Sequence, residues 1–352
     1  MSDEQQKWEV YVQSETARVQ PVLGHLGFTL DNEQQQTLGE RYLTRPLGGA
    51  RKLVLFGRSA DGMRVVIKTS NESAGVAELE HEQTCREVLN TIQFAHGVFA
   101  SPKEILFDRK NGIAITEYIE QEKSFLERPI EEQFAIALNA LKAQEGAHAT
   151  TAGHSKIVER TFGEMCASDY YKTAQRYVEE IRNGFDKALT LLNGNHGTLD
   201  RYGGFLTHWD FTPQNFRIRD GQLYLLDHAS LRFGNKYEGW ARFINFMVLY
   251  NPLLAEALIA YVRNNRTDEE SLSLKLMRVY RLLEIIHYYT TWLPRTDGNL
   301  NLLAQTRITF WSKVLELVIN DRPIPAETIE DYQRERDALR SDEEKKRQIG
   351  LH

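Results

Sequence analysis

Only two cysteines, Cys85 and Cys166, occur in the 352 residues, too few for a disulfide framework and in keeping with a reducing compartment. Positive charge is not in excess: the formal net charge is −6, which argues against nonspecific nucleic-acid binding. No apolar run reaches bilayer length, because the longest helical stretches, 243–249 and 253–262, are short and broken by polar residues. The opening residues Met1-Ser2-Asp3-Glu4-Gln5-Gln6 are polar and acidic rather than basic and then apolar, so no signal peptide is expected. Internal repeats and low-complexity linkers are lacking too. These absences predict a soluble, cytoplasmic protein with neither a nucleic-acid nor a membrane partner. Oligomeric state leaves no mark in the composition.

What is present is ordinary for a globular chain, with 41% hydrophobic and 26% charged residues and length enough for two lobes. Residues 8–26 carry apolar side chains at Trp8, Tyr11, Val12, Val19, Val22, Leu23 and Leu26, a spacing that predicts an amphipathic helix packed on the body. Strands are predicted over 42–47 and, after the Gly48-Gly49 turn, over 51–56. A hairpin at Asp61-Gly62 leads into a strand over 63–69. A helix follows over 74–94, then strands over 104–107 and 113–118 separated by Lys110-Asn111-Gly112. Beyond Glu120 helical periodicity dominates, over 130–149, 168–192, 238–250, 269–293 and 299–319. Short strands interrupt it at 204–207, 216–218 and 223–226. The segment 327–347 is mostly charge of mixed sign and reads as a solvated helix or frayed tail. The order predicts an α+β protein. It has an N-terminal helical extension over 1–37, a small strand-rich lobe over 38–120 and a helical lobe over 121–352.

Several nucleotide and metal signatures are missing. There is no G-x-x-x-x-G-K-[ST], which argues against a P-loop enzyme, and His81-Glu82-Gln83-Thr84-Cys85 lacks the second histidine of a zinc protease helix. Phosphoryl transfer asks instead for position and charge: a carboxylate for the acceptor proton, oxygen ligands for Mg²⁺ and a cation on the phosphates. His208-Trp209-Asp210-Phe211-Thr212-Pro213-Gln214-Asn215 offers Asp210 as a base and Asn215 as a metal ligand. Asp227 follows the apolar run Leu223-Tyr224-Leu225-Leu226, so a strand delivers it as a second Mg²⁺ ligand. Taken alone, this spacing is also compatible with a polar turn between two strands. Val65-Val66-Ile67-Lys68 ends in a lysine. Glu82 and Glu78, on one face of the following helix, are its candidate partners. By itself that strand also reads as an edge strand with an exposed lysine.

His208-x-Asp210-x-x-x-x-Asn215 followed by Leu226-Asp227 resembles the catalytic and metal-binding loops of the aminoglycoside phosphotransferase and choline kinase family. Pro213 sits where that loop commonly has proline, whereas Trp209 and His228 depart from the usual residues. The resemblance spans about residues 45 to 250 and implies a two-lobed protein-kinase-like fold, with a small antiparallel sheet lobe and a larger, mostly helical one. It implies that Lys68 holds the α- and β-phosphates of ATP, that Glu82 orients Lys68, and that His208 braces the loop. Gly48 and Gly49 fall at the phosphate-covering turn. Without a full G-x-G-x-x-G they also read as a plain hairpin. Glu117 and Ile119 fall at the hinge, where main-chain groups meet adenine. The implied activity is ATP- and Mg²⁺-dependent transfer to a hydroxyl of a small molecule, an aminoglycoside or amino alcohol among them. A catalytically silent scaffold is the alternative. A protein kinase is disfavoured by the lack of Asp-Phe-Gly and Ala-Pro-Glu segments. His287, Tyr288, Tyr289 and Trp292 read first as core packing and second as part of an acceptor wall.

Overall fold

The computed structural model describes residues 3–32, 34, 52–92, 99–146, 161–182, 184–340 and 345. The strand expected over 42–47 therefore lies outside the described residues. In chain order the first half comprises α1 (Asp3–His25), β1 (Phe28–Leu30), β2 (Leu53–Ser59), β3 (Arg64–Thr69), α2 (Ser73–Ile92), β4 (Phe99–Ala100), β5 (Glu104–Asp108) and β6 (Ile113–Glu117). An antiparallel sheet of order β1-β2-β3-β6-β5 forms the small lobe, and β1, unforeseen in the sequence, pairs with β2 at its edge.

Alternation along β3 decides what the small lobe shows to each side. Val65, Ile67 and Thr69 are fully buried on one face, and Lys68 stands on the other. The buried face packs against α1 through Tyr11, Val19 and Leu23, which join Leu55, Ile113 and Ile115 in one apolar cluster. The helix is also fastened by charge. Glu15, fully buried, accepts hydrogen bonds from Thr69 Oγ1 at 2.7 Å and Arg18 Nε at 2.9 Å. Arg18 Nη1 reaches the Asn111 carbonyl at 2.7 Å, in the β5–β6 turn where Gly112 takes φ +60. On the opposite side α2 turns Cys85, Val88 and Leu89 away from that cluster and into the core of the large lobe.

The large lobe contains α3 (Ile130–Gln144), α4 (Ala167–Ile181), α5 (Asp186–Asn193), α6 (His196–Arg201), β7 (Phe205–His208), β8 (Phe216–Arg219), β9 (Gln222–Leu225), β10 (Leu231–Gly234), α7 (Glu238–Tyr250), α8 (Pro252–Asn265), α9 (Asp268–Trp292), α10 (Gly298–Ile319) and α11 (Ala326–Leu339). Thr267 and Glu270 cap the start of α9 reciprocally. Pairings β7–β10 and β8–β9 are antiparallel, and β4 joins β9 in parallel, tying the chain between α2 and β5 to the large lobe. The single helix expected over 168–192 is two helices. Arg182 takes a left-handed φ of 58 that caps α4, and Gly184 at φ +33 turns the chain into α5. Within the charged segment, the described residues 327–340 are likewise not a solvated or frayed tail. Ile329, Tyr332 and Arg336 form a buried stripe on α11, with the Tyr332 ring stacked 4.1 Å from Phe310.

Helix α7 is buried along nearly its whole length and packs against β7 at Gly239. A Cβ there would stand 2.6 Å from Gln144 Oε1 and 3.2 Å from Thr207 Oγ1. That same Gln144 oxygen accepts the His208 N–H at 3.0 Å, so α3, α7 and the end of β7 meet at one point. Gly239→Ala is expected to displace Gln144 and lower stability by about 1–3 kcal/mol, read from the midpoint of urea unfolding. An unchanged midpoint would show that the contact yields without cost.

Candidate active site

Lys68 points from β3 toward α2, and its Nζ donates to both carboxylate oxygens of Glu82, at 2.5 and 2.7 Å. Glu78 is not its partner, because Glu78 pairs with Lys52 at 2.7 Å. Burial alone would raise the Glu82 carboxyl. The charge and hydrogen bonds of Lys68, helped by Arg86, outweigh it and bring the pKa to about 2. Arg86 in turn reaches Glu104 at 3.1 Å. The Lys68 side chain keeps 27% of its exposure, so an ammonium held in place by a buried carboxylate still faces open space.

The loop after β7 is organised around Asp210. Asn215 Nδ2 donates to the Asp210 carbonyl at 2.8 Å and to its Oδ2 at 2.9 Å, closing the loop on itself. The other carboxylate oxygen accepts Arg242 Nε at 2.7 Å, from the second turn of α7. Burial would raise the Asp210 pKa, but Arg242, by charge and hydrogen bond, and then Arg281 hold it below the ordinary aspartate value. Asp210 is therefore a fixed, ionised carboxylate, 28% exposed. Beside it, the guanidinium groups of Arg281 and Arg232 lie 5.2 and 5.5 Å from the Trp209 ring centroid.

Leu226 N–H donates to the Asn215 carbonyl at 2.8 Å, which brings the start of the Asp227 turn alongside Asn215. Asp227 adopts a left-handed backbone at φ 50, a conformation that aspartate tolerates better than most residues. Two contacts hold it there. Ser230 Oγ donates to its Oδ2 at 2.6 Å, and His208 Nε2 lies 3.1 Å from both the Leu226 and Asp227 carbonyls. Those two acceptors assign the proton to Nε2. Asn215 Oδ1 and Asp227 Oδ1 have no hydrogen-bond partner among the described residues. Two hard oxygens suit Mg²⁺, which keeps waters and substrate phosphates in its shell. No group of three or more His, Cys, Asp or Glu stands together as a cage among the described residues.

At the hinge, Glu117 N–H donates to the Lys103 carbonyl at 2.9 Å and Tyr118 N–H to Arg64 at 3.0 Å, while the Ile119 N–H has no partner among the described residues. Arg219 of β8 binds the Glu117 carboxylate at 2.9 Å, linking the large-lobe hairpin to the hinge. Gly48 and Gly49 lie outside the described residues. The aromatic group divides. Tyr289 and Trp292 are buried, Tyr288 is exposed, and His287 stacks on Tyr177 at 4.4 Å with its Nε2 2.6 Å from Glu180. Arg242 and Gln144 carry no signal in the sequence, because they meet Asp210 and His208 across 32 and 64 residues, whereas the signal for Ser230 is its place three residues after Asp227. Arg217 carries no sequence signal of its own either. It shares the hinge-facing side of β8 with Arg219, and burial lowers its pKa.

No family model matches the chain, and no curated protein sequence does. Solved structures do share its fold. A macrolide 2'-phosphotransferase type I superposes with a TM-score of 0.57 at 14% identity, covering 84% of this chain and 97% of that one. The choline kinase LicA from Streptococcus pneumoniae gives 0.55 at 15%, covering 86% and 99%. The ADP-bound aminoglycoside phosphotransferase APH(2'')-Ib gives 0.52 at 13%, covering 86% and 98%. The chain thus has the protein-kinase-like phosphotransferase fold, an antiparallel sheet lobe joined to a larger helical lobe.

Proposed function

We propose that this protein is an ATP- and Mg²⁺-dependent phosphotransferase that moves the γ-phosphoryl group to a hydroxyl of a small molecule, such as an aminoglycoside or amino alcohol. The observation that carries the reading is the Asp210 carboxylate, clamped by Asn215 and Arg242 beside the turn that presents Asp227. Lys68, oriented by Glu82, supplies the cation for the α- and β-phosphates from the facing lobe. Asn215 Oδ1 and the Asp227 carboxylate are the groups that would hold Mg²⁺. When bound there, the ion supplies charge neutralisation on the phosphate oxygens.

Asp210 acts on the acceptor hydroxyl. Its lowered pKa makes it ionised at neutral pH and only weakly basic, so it orients the hydroxyl and takes the proton late, as a loose phosphoryl transition state allows. Support for a small acceptor comes from the fold-sharing proteins, whose names state macrolides, choline and aminoglycosides. The ADP in one of them supports a nucleotide in the cleft of this chain. Against a protein kinase, β10 begins at Leu231, four residues past Asp227, pairs at once with β7 and ends at Gly234, with α7 starting at Glu238. That leaves no room for a long activation segment.

Three outcomes are expected. Millimolar Mg-ATP raises the melting temperature by mass action, and Lys68→Met reduces that rise. No shift at all would point to a scaffold without a nucleotide site. Asp227→Asn abolishes phosphate transfer while its circular dichroism and melting curve stay near wild type; undiminished transfer would place the metal on another carboxylate. Asp210→Asn lowers kcat by about 10²–10⁴-fold with little change in nucleotide affinity. Near-native turnover in that variant would remove Asp210 from the chemistry.

A further inference from the structure

A cavity of about 720 Å³ opens between α8, α9 and the ends of α10 and α11, and none of the residues argued above for phosphoryl transfer lines it. Its volume lies in the range of small-molecule sites. Val248, Ile259, Leu272 and Ile324 give it apolar walls, and Arg278 of α9 lines it from within. Arg278 is 9% exposed. Its Nε donates to Asn245 Oδ1 at 3.0 Å, and Asn245 Nδ2 returns to the Arg278 carbonyl at 3.2 Å, which fixes the plane of the guanidinium. Nη1 and Nη2 donate to no described residue, and no described carboxylate pairs with the group.

A buried, uncompensated guanidinium is costly, and burial alone lowers this one to a pKa of about 10. The nearby acids do not relieve it. Asp321, on the same cavity, is taken by Lys275 at 2.5 Å. A second polar group on the wall, Ser271 Oγ, is buried without a hydrogen-bond partner. Arg263, Lys275, Arg278 and Arg322 outnumber Glu256 and Asp321 around the cavity, so its field favours an anion.

We propose that this cavity is a binding site for a carboxylate amphiphile, with the carboxylate held by the free fork of Arg278 and the hydrocarbon body lying along the apolar walls. The two vacant Nη donors match the two oxygens of one carboxylate in a bidentate pair. A monoanion balances Arg278, the buried cation of the lining, since Arg263 and Arg322 are exposed to solvent, whereas a dianion would bring a second charge toward Glu256 and Asp321.

The test is calorimetric titration of the full chain with decanoate, decanol and decyl phosphate, each below its micelle concentration. Decanoate is expected to bind about tenfold or more tighter than decanol, the worth of charge-assisted hydrogen bonds. Arg278→Met, which keeps the apolar length, should erase that difference. Ala260→Trp fills the cavity from a half-buried position on α8 with Arg278 in place, and it should abolish decanoate binding. Equal binding of decanoate and decanol, or a preference that survives Arg278→Met, would overturn the proposal. So would tighter binding of decyl phosphate. Should Arg278→Met fail to fold, Ala260→Trp decides, and undiminished decanoate binding there refutes the site.

Discussion

Asp210 has to keep a negative charge in a loop that folding takes largely out of water, and burial by itself would push its proton back on. Arg242, by its charge and a hydrogen bond of 2.7 Å, and then Arg281 prevent this, while Asn215 Nδ2 holds the other carboxylate oxygen at 2.9 Å. Much of the large lobe serves that arrangement. Arg242 sits one turn after Gly239 on α7, and it reaches Asp210 because Gly239 lets the helix lie close on Gln144 and β7. Gln144 also binds the His208 N–H, so one contact sets both where the loop begins and where the arginine stands.

A second constraint is the division of the apolar core. The small sheet and α1 share one cluster. α2 contributes Cys85, Val88 and Leu89 to the other, which fills the large lobe. The Lys68–Glu82 pair therefore joins a strand seated in one core to a helix seated in the other. Between the sheet with its hinge and the large lobe, Arg219 to Glu117 is a further polar tie, while α2 and the segment after it go with the large lobe, where Ser101 Oγ lies 2.9 Å from His228 Nε2. Polar interfaces of this kind let packed units move relative to one another more readily than a shared apolar core does. Under the activity proposed above, a cleft that admits nucleotide and releases product would need such a joint.

The sequence by itself determined the parts whose causes lie within a few residues. Alternation along 64–69 put Lys68 on the face opposite Val65 and Ile67. The spacing of Asp210 and Asn215 was enough for a loop that closes on its own side chains, and α7 was legible to the residue from its periodicity. Only the tertiary structure decided that Glu82 rather than Glu78 meets Lys68, since both lie on one helical face and the choice rests on how α2 is set against β3. It also decided that Arg242 clamps Asp210 from 32 residues away and that Arg219 reaches Glu117 across 102. It split residues 168–192 into two helices and docked the charged C-terminal helix. Periodicity and turn chemistry act over a turn or a hairpin. The partner of a buried charge is set by which elements pack together, and that depends on the whole fold at once.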